Sequence, residues 1–594
     1  MKKALCLFLL SSLFSPLAAQ PSSPKPSVLA ITHVTVIDAT GAALRPNMTV
    51  VIVGNRIQQL GTSAEGAIPG NAQVVDGSGK FLIPGLWDMH VHWYEKDYLT
   101  LFLANGVTGI RVTSGQPLHR EWRKQIEAGT LVGPRSVIAS EIVDGPKPYW
   151  PGTISVSDEA QARQAVDKIK QDRAGDFVKV YTFLPRDTYF AVVDEAKKQG
   201  LAFAGHVPLS VTPEEASRAG QKSFEHLTGI LAACSTRSDE IHRAQRADLA
   251  LDVAGKPTFW GPNVQKLRQA AVDSYSPKKA AALSAVLKSN HTWQCPTLTL
   301  LHSLGYSDET SNAEDPRLKY LPKSVKGNWH AGDTYGETAQ DYALARKEFQ
   351  RDLQIIGVMQ RNGVGILAGT DTPNPFCFPG FSLHDELGFL VQGGLSPMEA
   401  LQAATLNPAR FNGREKDLGT VETGKVADLV LLDANPLDDI ANTKKIAGVI
   451  YDGKYFSRTA LDQMLSTAEA MASRKSIAEA MMKTIQEKDV TAAVAQYREL
   501  KAKQPNVYDF SESELNSTGY QLLHLKRSKD AIEVFKLNVE VYPQSSNTYD
   551  SLAEAYEDDG QKELAIQNYR KSLELNPDNE NGTKKLQELT KAGP

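Results

Sequence analysis

The sequence predicts an α/β fold: a (β/α)8 barrel, a small β-sandwich built from the segments on either side of it, and a C-terminal α-helical repeat domain. Three observations carry this expectation. Eight strand-like segments, several separated by helical ones, fill the middle of the chain. Two β-rich stretches of similar texture flank them. The last part repeats itself, Ala531 falling on Ala565 and Pro543 on Pro577. With 594 residues the chain is also too long for one core, and roughly three or four domains are expected.

The chain opens on MKKALCLFLLSSLFSPLAAQ, with a basic start, an apolar run from Ala4 to Phe14 and small residues at Ala18 and Ala19. This layout predicts a signal peptide over residues 1–19 and an exported protein, periplasmic or secreted. The apolar run is too short to span a bilayer. Cys6 lies inside it rather than at a cleavage junction, so no membrane anchor is expected. The competing reading is a cytoplasmic protein with a greasy first helix. After the linker PSSPKPS, the segments VLAITHVTVIDATG, MTVVIVGNRIQQLG and AQVVDGSGKFLIPG alternate as strands do between turn residues. They form the first part of the sandwich, 28–80. VADLVLLDANP and IAGVIYDGKYF supply the second, 412–460.

Between them, 81–411 reads as the barrel. LWDMHVH, TGIRVT, RSVIASEI, FVKVY, AFAGHV, SFEHL, WQCPTLTL and GILAGTD are strand-like, and the helical DEAQARQAVDKIKQ, RDTYFAVVDEAKKQG and PEEASRAG separate several of them. Repeating βα units with apolar strands favour a parallel sheet, and eight strands suit a closed barrel. An open doubly wound sheet would place a glycine-rich loop after its first strand. Here that place holds HVHWYEKD. The tail, 465–594, is helical and charged. DAIEVFKLNVEVYP and LAIQNYRKSLELNP align in the period and pattern of a tetratricopeptide-like repeat, with Phe535 against Tyr569. AAVAQYRELKAKQP resembles a degenerate earlier copy. A plain amphipathic helical tail is the alternative.

A formal net charge of −4 argues against a nucleic-acid partner, which normally meets a basic stripe. Beyond the leader, Cys234, Cys295 and Cys377 show no CxxC spacing and are too few for a disulfide framework. They read as structural or incidental thiols.

The chemistry starts at LIPGLWDMHVH. Residues i and i+2 of a strand project to the same side, so His90 and His92 point together, as a metal requires. A barrel gathers its functional side chains at the carboxyl ends of its strands. Lys179 lies in the fourth strand, His206 ends the fifth, His226 the sixth and Asp371 the eighth. Imidazole and carboxylate are suitable zinc ligands, whereas an ammonium has no lone pair to give. A lysine at a barrel centre is costly unless its charge is removed or paired. The other histidines have no ligand spacing. His33, His119, His242 and His524 read as surface or packing residues, and His291, His302, His330 and His384 lie in or near barrel segments.

PGLWDMHVH, ANGVTGIR, DFVKVY, GHVP, FEHLTG, GTDTPNP, SLHDELGFLVQGGLSPMEALQAATLNPA and GKVADLVLLDANPL together resemble the amidohydrolase superfamily, a group of metal-dependent hydrolases on the TIM barrel. More narrowly they resemble its imidazolonepropionase-related, prolidase-type branch, over about residues 28–460. The resemblance implies two divalent ions, usually zinc. His90, His92 and Asp371 would hold the more buried one and His206 and His226 the other, with a carbamate on Lys179 bridging them. It implies hydrolysis of a C–N amide bond by a hydroxide shared between the ions. Asp371 would accept the hydroxide's proton and pass it to the leaving amine.

Beside that set, Tyr181 shares the strand face of Lys179 and offers a hydrogen bond to an oxyanion, with a buried structural tyrosine as the alternative. Arg111 ends strand two and offers a bidentate grip on a substrate carboxylate; a structural salt bridge is the alternative. Asp88 shares the face of the two histidines and reads as their hydrogen-bonding support, and His384 as support or a helix cap. The segment from Leu301 to Thr338 reads as a lid or specificity loop.

The expected substrate is a dipeptide, Xaa-Pro included, or an N-acyl amino acid. Three readings compete: a one-metal hydrolase of cyclic amides or a deaminase, an esterase or lactonase, and a repeat-based binding protein with the barrel as scaffold. The expected partners are the small substrate and, through the repeats, a protein or a second copy. ASEIVDGPKPYWPG lacks a histidine that some prolidase-type relatives have after strand three, and RVTSG lacks an acidic residue often found after the arginine. Substrate contacts therefore do not carry over from the family.

Overall fold

Strand β1 (Val28–Val36) is buried along most of its length because it runs inside a sheet. It pairs antiparallel with β2 (Arg45–Val53), which continues into β3 (Arg56–Thr62). It pairs parallel with β4 (Gln73–Asp76) and β5 (Phe81–Pro84). The computed structural model describes residues 27–64, 68–93, 95–150, 152–251, 262–326, 329, 338–577 and 579–591. The leader and His330 lie outside them.

The barrel follows without a break. Its strands are β6 (Leu86–Val91), β7 (Val107–Val112) and β8 (Arg135–Asp144), whose far end carries the two-residue β9 (Ile154–Ser155). Then come β10 (Phe177–Val180), β11 (Ala202–Gly205), β12 (Ser223–Glu225) and β13 (Trp293–Cys295). The seven main strands are parallel and neighbour one another in sequence order. GILAGTD supplies the eighth side: Ile366 bridges Gln294 and Thr372 bridges Val91, both parallel. Met89 N donates to Ala368 O and Asp371 N to His90 O, each at 2.8 Å, which closes the ring.

Helices cover the strands where the sequence has both a start signal and an apolar stripe. The helix Glu159–Gln171 opens on Asp158, whose carboxylate accepts from Gln161 N. It buries Ala162, Ala165, Val166 and Ile169, the spacing of one helical face. The helix Pro213–Arg218 opens on a capping box of Thr212 and Glu215. One element departs from the sequence reading. WQCPTLTL is a strand only to Cys295 and is helical from Leu298 to Tyr306. Pro296 has no N–H for the ladder, and Thr297, at φ +49°, turns the chain out of the sheet.

Past the barrel, β14 (Leu429–Leu432), β15 (Ile446–Tyr451) and β16 (Lys454–Ser457) return to the first sheet. β14 pairs antiparallel with β5, so both ends of the α/β region share one eight-stranded sheet, in the order β16-β15-β14-β5-β1-β2-β3 with β4 beside β1. Arg56 also bridges Val426, and the sheet encloses Ile31, Val50, Ile52, Leu82, Leu429 and Ile450. Arg135 ties sheet to barrel through Asp428 and Asp452, at 2.7 Å each.

The helix Arg458–Ala472 still packs with the barrel, its Leu461 and Ala468 joining the main core. From Ile477 onward the helices share a core of their own, which includes Phe535, Tyr569 and the buried Ala531 and Ala565. The helices Ser528–Val541 and Lys562–Leu575 keep the offset seen in the sequence. Between these helices and the barrel lies a cavity of about 2470 Å³, lined by Tyr98, Trp122 and Tyr320 on one side and Phe510, Asn547 and Asn579 on the other. No helix among the described residues is long and apolar enough to cross a membrane.

Candidate metal centre

Six side chains named from the sequence come to the carboxyl end of the barrel. His90 and His92 leave the end of β6 and its continuation on one side, as period-two alternation requires. Their ring centroids are 5.5 Å apart. Asp371 faces both, its Oδ1 3.2 Å from His90 Nε2 and 2.9 Å from His92 Nε2. The His226 ring lies 4.4 Å from that of His90 and 4.8 Å from that of His206. Lys179 is buried in β10. His226 and Asp371 have φ of +57° and +61°, a left-handed backbone that non-glycine residues adopt at a cost. At Gly369 an added Cβ would come within 2.9 Å of the His90 Cβ, so only glycine lets the eighth strand pass this close.

The electrostatics suit a cation. Burial lowers the pKa of His92 and His226, the latter to about 3, and drives that of His206 well below its ordinary value. Those rings are therefore neutral and offer lone pairs. Burial alone would raise the Asp371 carboxyl, but the facing imidazoles hold it well below the usual carboxylate range. His90 Nε2 and Asp371 Oδ1 are buried, 3.2 Å apart, and satisfy no hydrogen bond. Two buried ligand-type atoms that face each other in this way suit a divalent ion. His90, His226 and Asp371 place one ligand atom each within 4.8 Å of one another. Burial lowers Lys179 to about 8, against the pull of Glu225 and Asp371. No carboxylate lies within ion-pair distance of it among the described residues.

Several supporting residues were not legible in the sequence. Glu225 Oε2 accepts from His90 Nδ1 at 2.8 Å, which fixes the tautomer that turns Nε2 into the cluster. Thr182 Oγ1 lies 2.7 Å from His206 Nδ1, and Thr297 Oγ1 2.7 Å from His226 Nδ1. Asp88, which the sequence does offer as support for the two histidines, accepts from His90 N at 3.2 Å and from the hydroxyl and N–H of Thr370 at 2.6 and 3.0 Å, and so anchors the strand that carries Asp371. Burial pushes Asp88 up to about 7.

Arg111 requires a correction. It is fully buried and spends its guanidinium inside the protein: on Met89 O at 2.6 Å, Ser223 Oγ at 2.9 Å and both Glu225 oxygens at 2.8 Å. Buried and bound at all three nitrogens, it is not placed to grip a substrate carboxylate. The salt bridge is the structural role, and it holds the Glu225 carboxyl well below its ordinary range against the opposing effect of burial.

Tyr181 lies at the cluster, its ring 4.0 Å from that of His206, and its hydroxyl accepts from Trp150 Nε1 at 2.7 Å. His384 is remote: it contacts Thr443 and the carbonyl of Asn105, which caps the helix Tyr98–Ala104. The segment after strand seven rests on the loop that follows Asp371. There Trp329 packs 5.7 Å from Phe376 and 5.4 Å from Phe378. Cys234, Cys295 and Cys377 are buried and unpaired.

A parallel barrel with imidazoles and a carboxylate converging at the carboxyl ends of its strands is the architecture of a barrel metallohydrolase. The Amidohydrolase family model matches residues 81–455, and the chain belongs to that family. It is 25% identical to the ochratoxinase of Aspergillus niger over 394 residues, covering 63% of this chain and 75% of that one. A Bifidobacterium longum protein assigned as a prolidase superposes with a TM-score of 0.52 at 25% identity, over 75% of this chain and all of that one. A bottromycin amidohydrolase superposes with a TM-score of 0.59 at 23% identity, over 76% and 91% of the two chains. The chain is thus a hydrolase of a family that acts on carbon–nitrogen bonds.

Proposed function

We propose that the protein is an exported, two-metal hydrolase that cleaves the C–N amide bond of a small substrate, a dipeptide (Xaa-Pro included) or an N-acyl amino acid. The observation that carries this reading is the convergence of His90, His92, His226 and Asp371, with His90 Nε2 and Asp371 Oδ1 buried 3.2 Å apart. His90, His92 and Asp371 would hold one ion, and His206 and His226 the other. Lys179, buried and with no carboxylate within ion-pair distance among the described residues, would bridge them as a carbamate. The donor set suits zinc. Such ions activate water at neutral pH and polarise the carbonyl under attack.

The protein's own groups do the rest. Asp371 is ionised and accepts a proton, then returns it to the departing amine. Tyr181 accepts a hydrogen bond from Trp150 beside the cluster, and its hydroxyl is the group proposed to meet an oxyanion. The family membership and the amide-hydrolase and prolidase names among the similar proteins support the bond type. The helices from Ile477 onward are proposed as tetratricopeptide-like units for a partner or a second copy.

Metal analysis joined to a screen of dipeptides and N-acyl amino acids tests the reading. Two ions per chain and turnover of an amide are expected. One ion per chain, or activity confined to esters and lactones, overturns it.

A further inference from the structure

Trp150 and Tyr149 are large aromatics left 43% and 39% exposed, in the loop that leaves β8. Their rings stand nearly perpendicular, at 82° with centroids 4.9 Å apart, and so form a corner. The corner is tied to the metal centre. The Trp150 indole N–H donates to Tyr181 at 2.7 Å, and the Tyr181 ring lies 4.0 Å from the His206 ring. Only the indole edge is engaged in that bond.

The loop is also anchored at its base. β9 pairs with the end of β8, Ser155 Oγ donates to Gly145 O at 3.0 Å, and Thr153 Oγ1 donates to Trp150 O at 2.8 Å. Asp144 accepts from Phe183 N at 2.7 Å, and a Cβ on Gly145 would sit 2.3 Å from Phe183 O. The loop therefore leaves the strand in direct contact with the backbone just after Tyr181.

We propose that Trp150 and Tyr149 form a specificity corner that selects amide substrates carrying a flat aromatic group beside the scissile bond; this rests on the hydrolytic reading above. A ring inserted there meets one aromatic wall face to face and the other edge to face, the two arrangements that aromatic quadrupoles favour. An aliphatic group gains the burial but not that geometry. Because Trp150 also orients Tyr181, filling the corner and aligning the hydroxyl are coupled through one indole.

The test compares Ala-Phe, Phe-Ala and Ala-Ala as substrates of the full chain. The wild type should prefer one aromatic dipeptide over Ala-Ala in kcat/KM. Trp150→Ala and Tyr149→Ala should reduce that preference roughly tenfold or more, mainly through KM of the aromatic substrate. Trp150→Phe should keep the preference while lowering kcat on all three alike, because the ring survives and the N–H to Tyr181 does not. No preference in the wild type, or an unchanged ratio in both alanine variants, overturns the corner. A fluorescence titration with N-acetyl-phenylalanine and N-acetyl-alanine, read as wild type minus Trp150→Phe, separates this from the hydrolytic reading. Tighter binding of the aromatic ligand without turnover of any amide sinks the hydrolytic reading and leaves the corner standing. Equal binding of the two sinks the corner.

Discussion

On one side of the cluster His90 is backed by Glu225, a carboxylate locked in turn by Arg111. On the other side His206 and His226 lean on the hydroxyls of Thr182 and Thr297. The two supports differ in kind. An ionised carboxylate can only accept, so it dictates which imidazole nitrogen carries the proton. A threonine hydroxyl can donate or accept and leaves that choice open. The charged support is also the more expensive to disturb, since removing one member of a buried ion pair strands the other. One side of the site is therefore fixed by the fold, while the other keeps freedom that a bound ion would resolve.

The contrast can be broken at four depths. Asp371→Asn and Lys179→Ala remove groups that both sides share. Turnover should fall roughly 10³-fold or more with the fold intact, read by steady-state kinetics and circular dichroism. Glu225→Gln should weaken metal binding roughly 10- to 100-fold. It should also cost about 3–5 kcal/mol in denaturant unfolding, because the Arg111 charge is left buried. Thr182→Val and Thr297→Val should each weaken binding less than Glu225→Gln and cost about 1 kcal/mol. Equal losses in these and in Glu225→Gln would erase the distinction. The smallest effect is expected from ending the chain after Arg474. The helices beyond it have their own core and supply none of the cluster, so turnover should persist, with any change confined to oligomeric state on gel filtration.

How far the sequence revealed this depends on the residue. His90 and His92 were legible because two residues apart on a strand means one face, and barrel strands end where chemistry sits. Seven of the eight strand-like segments form the parallel barrel sheet for the same reason, since buried parallel strands leave short apolar runs, and GILAGTD joins them only through isolated bridges. Glu225 was hidden by that rule. As the neighbour of His226 it should face the other way, and it does, sharing its side with Ser223 and Arg111. His226 is brought back to the cluster by its left-handed backbone, and period-two reasoning assumes no such turn. Arg111 was misplaced because its partners lie on β12, more than a hundred residues along the chain. Trp150 belongs to a loop without periodicity, where only the folded structure shows what the indole meets.

The shared sheet has a consequence for how the chain is made. β5 emerges early in synthesis, yet its partner β14 follows about 350 residues later. At ordinary translation speeds that is a delay of roughly 20–70 s. Throughout that interval Phe81–Pro84 presents an unsatisfied strand edge, the kind of edge that other chains pair with. Until the end of the chain arrives, the sheet that joins its two parts cannot be completed.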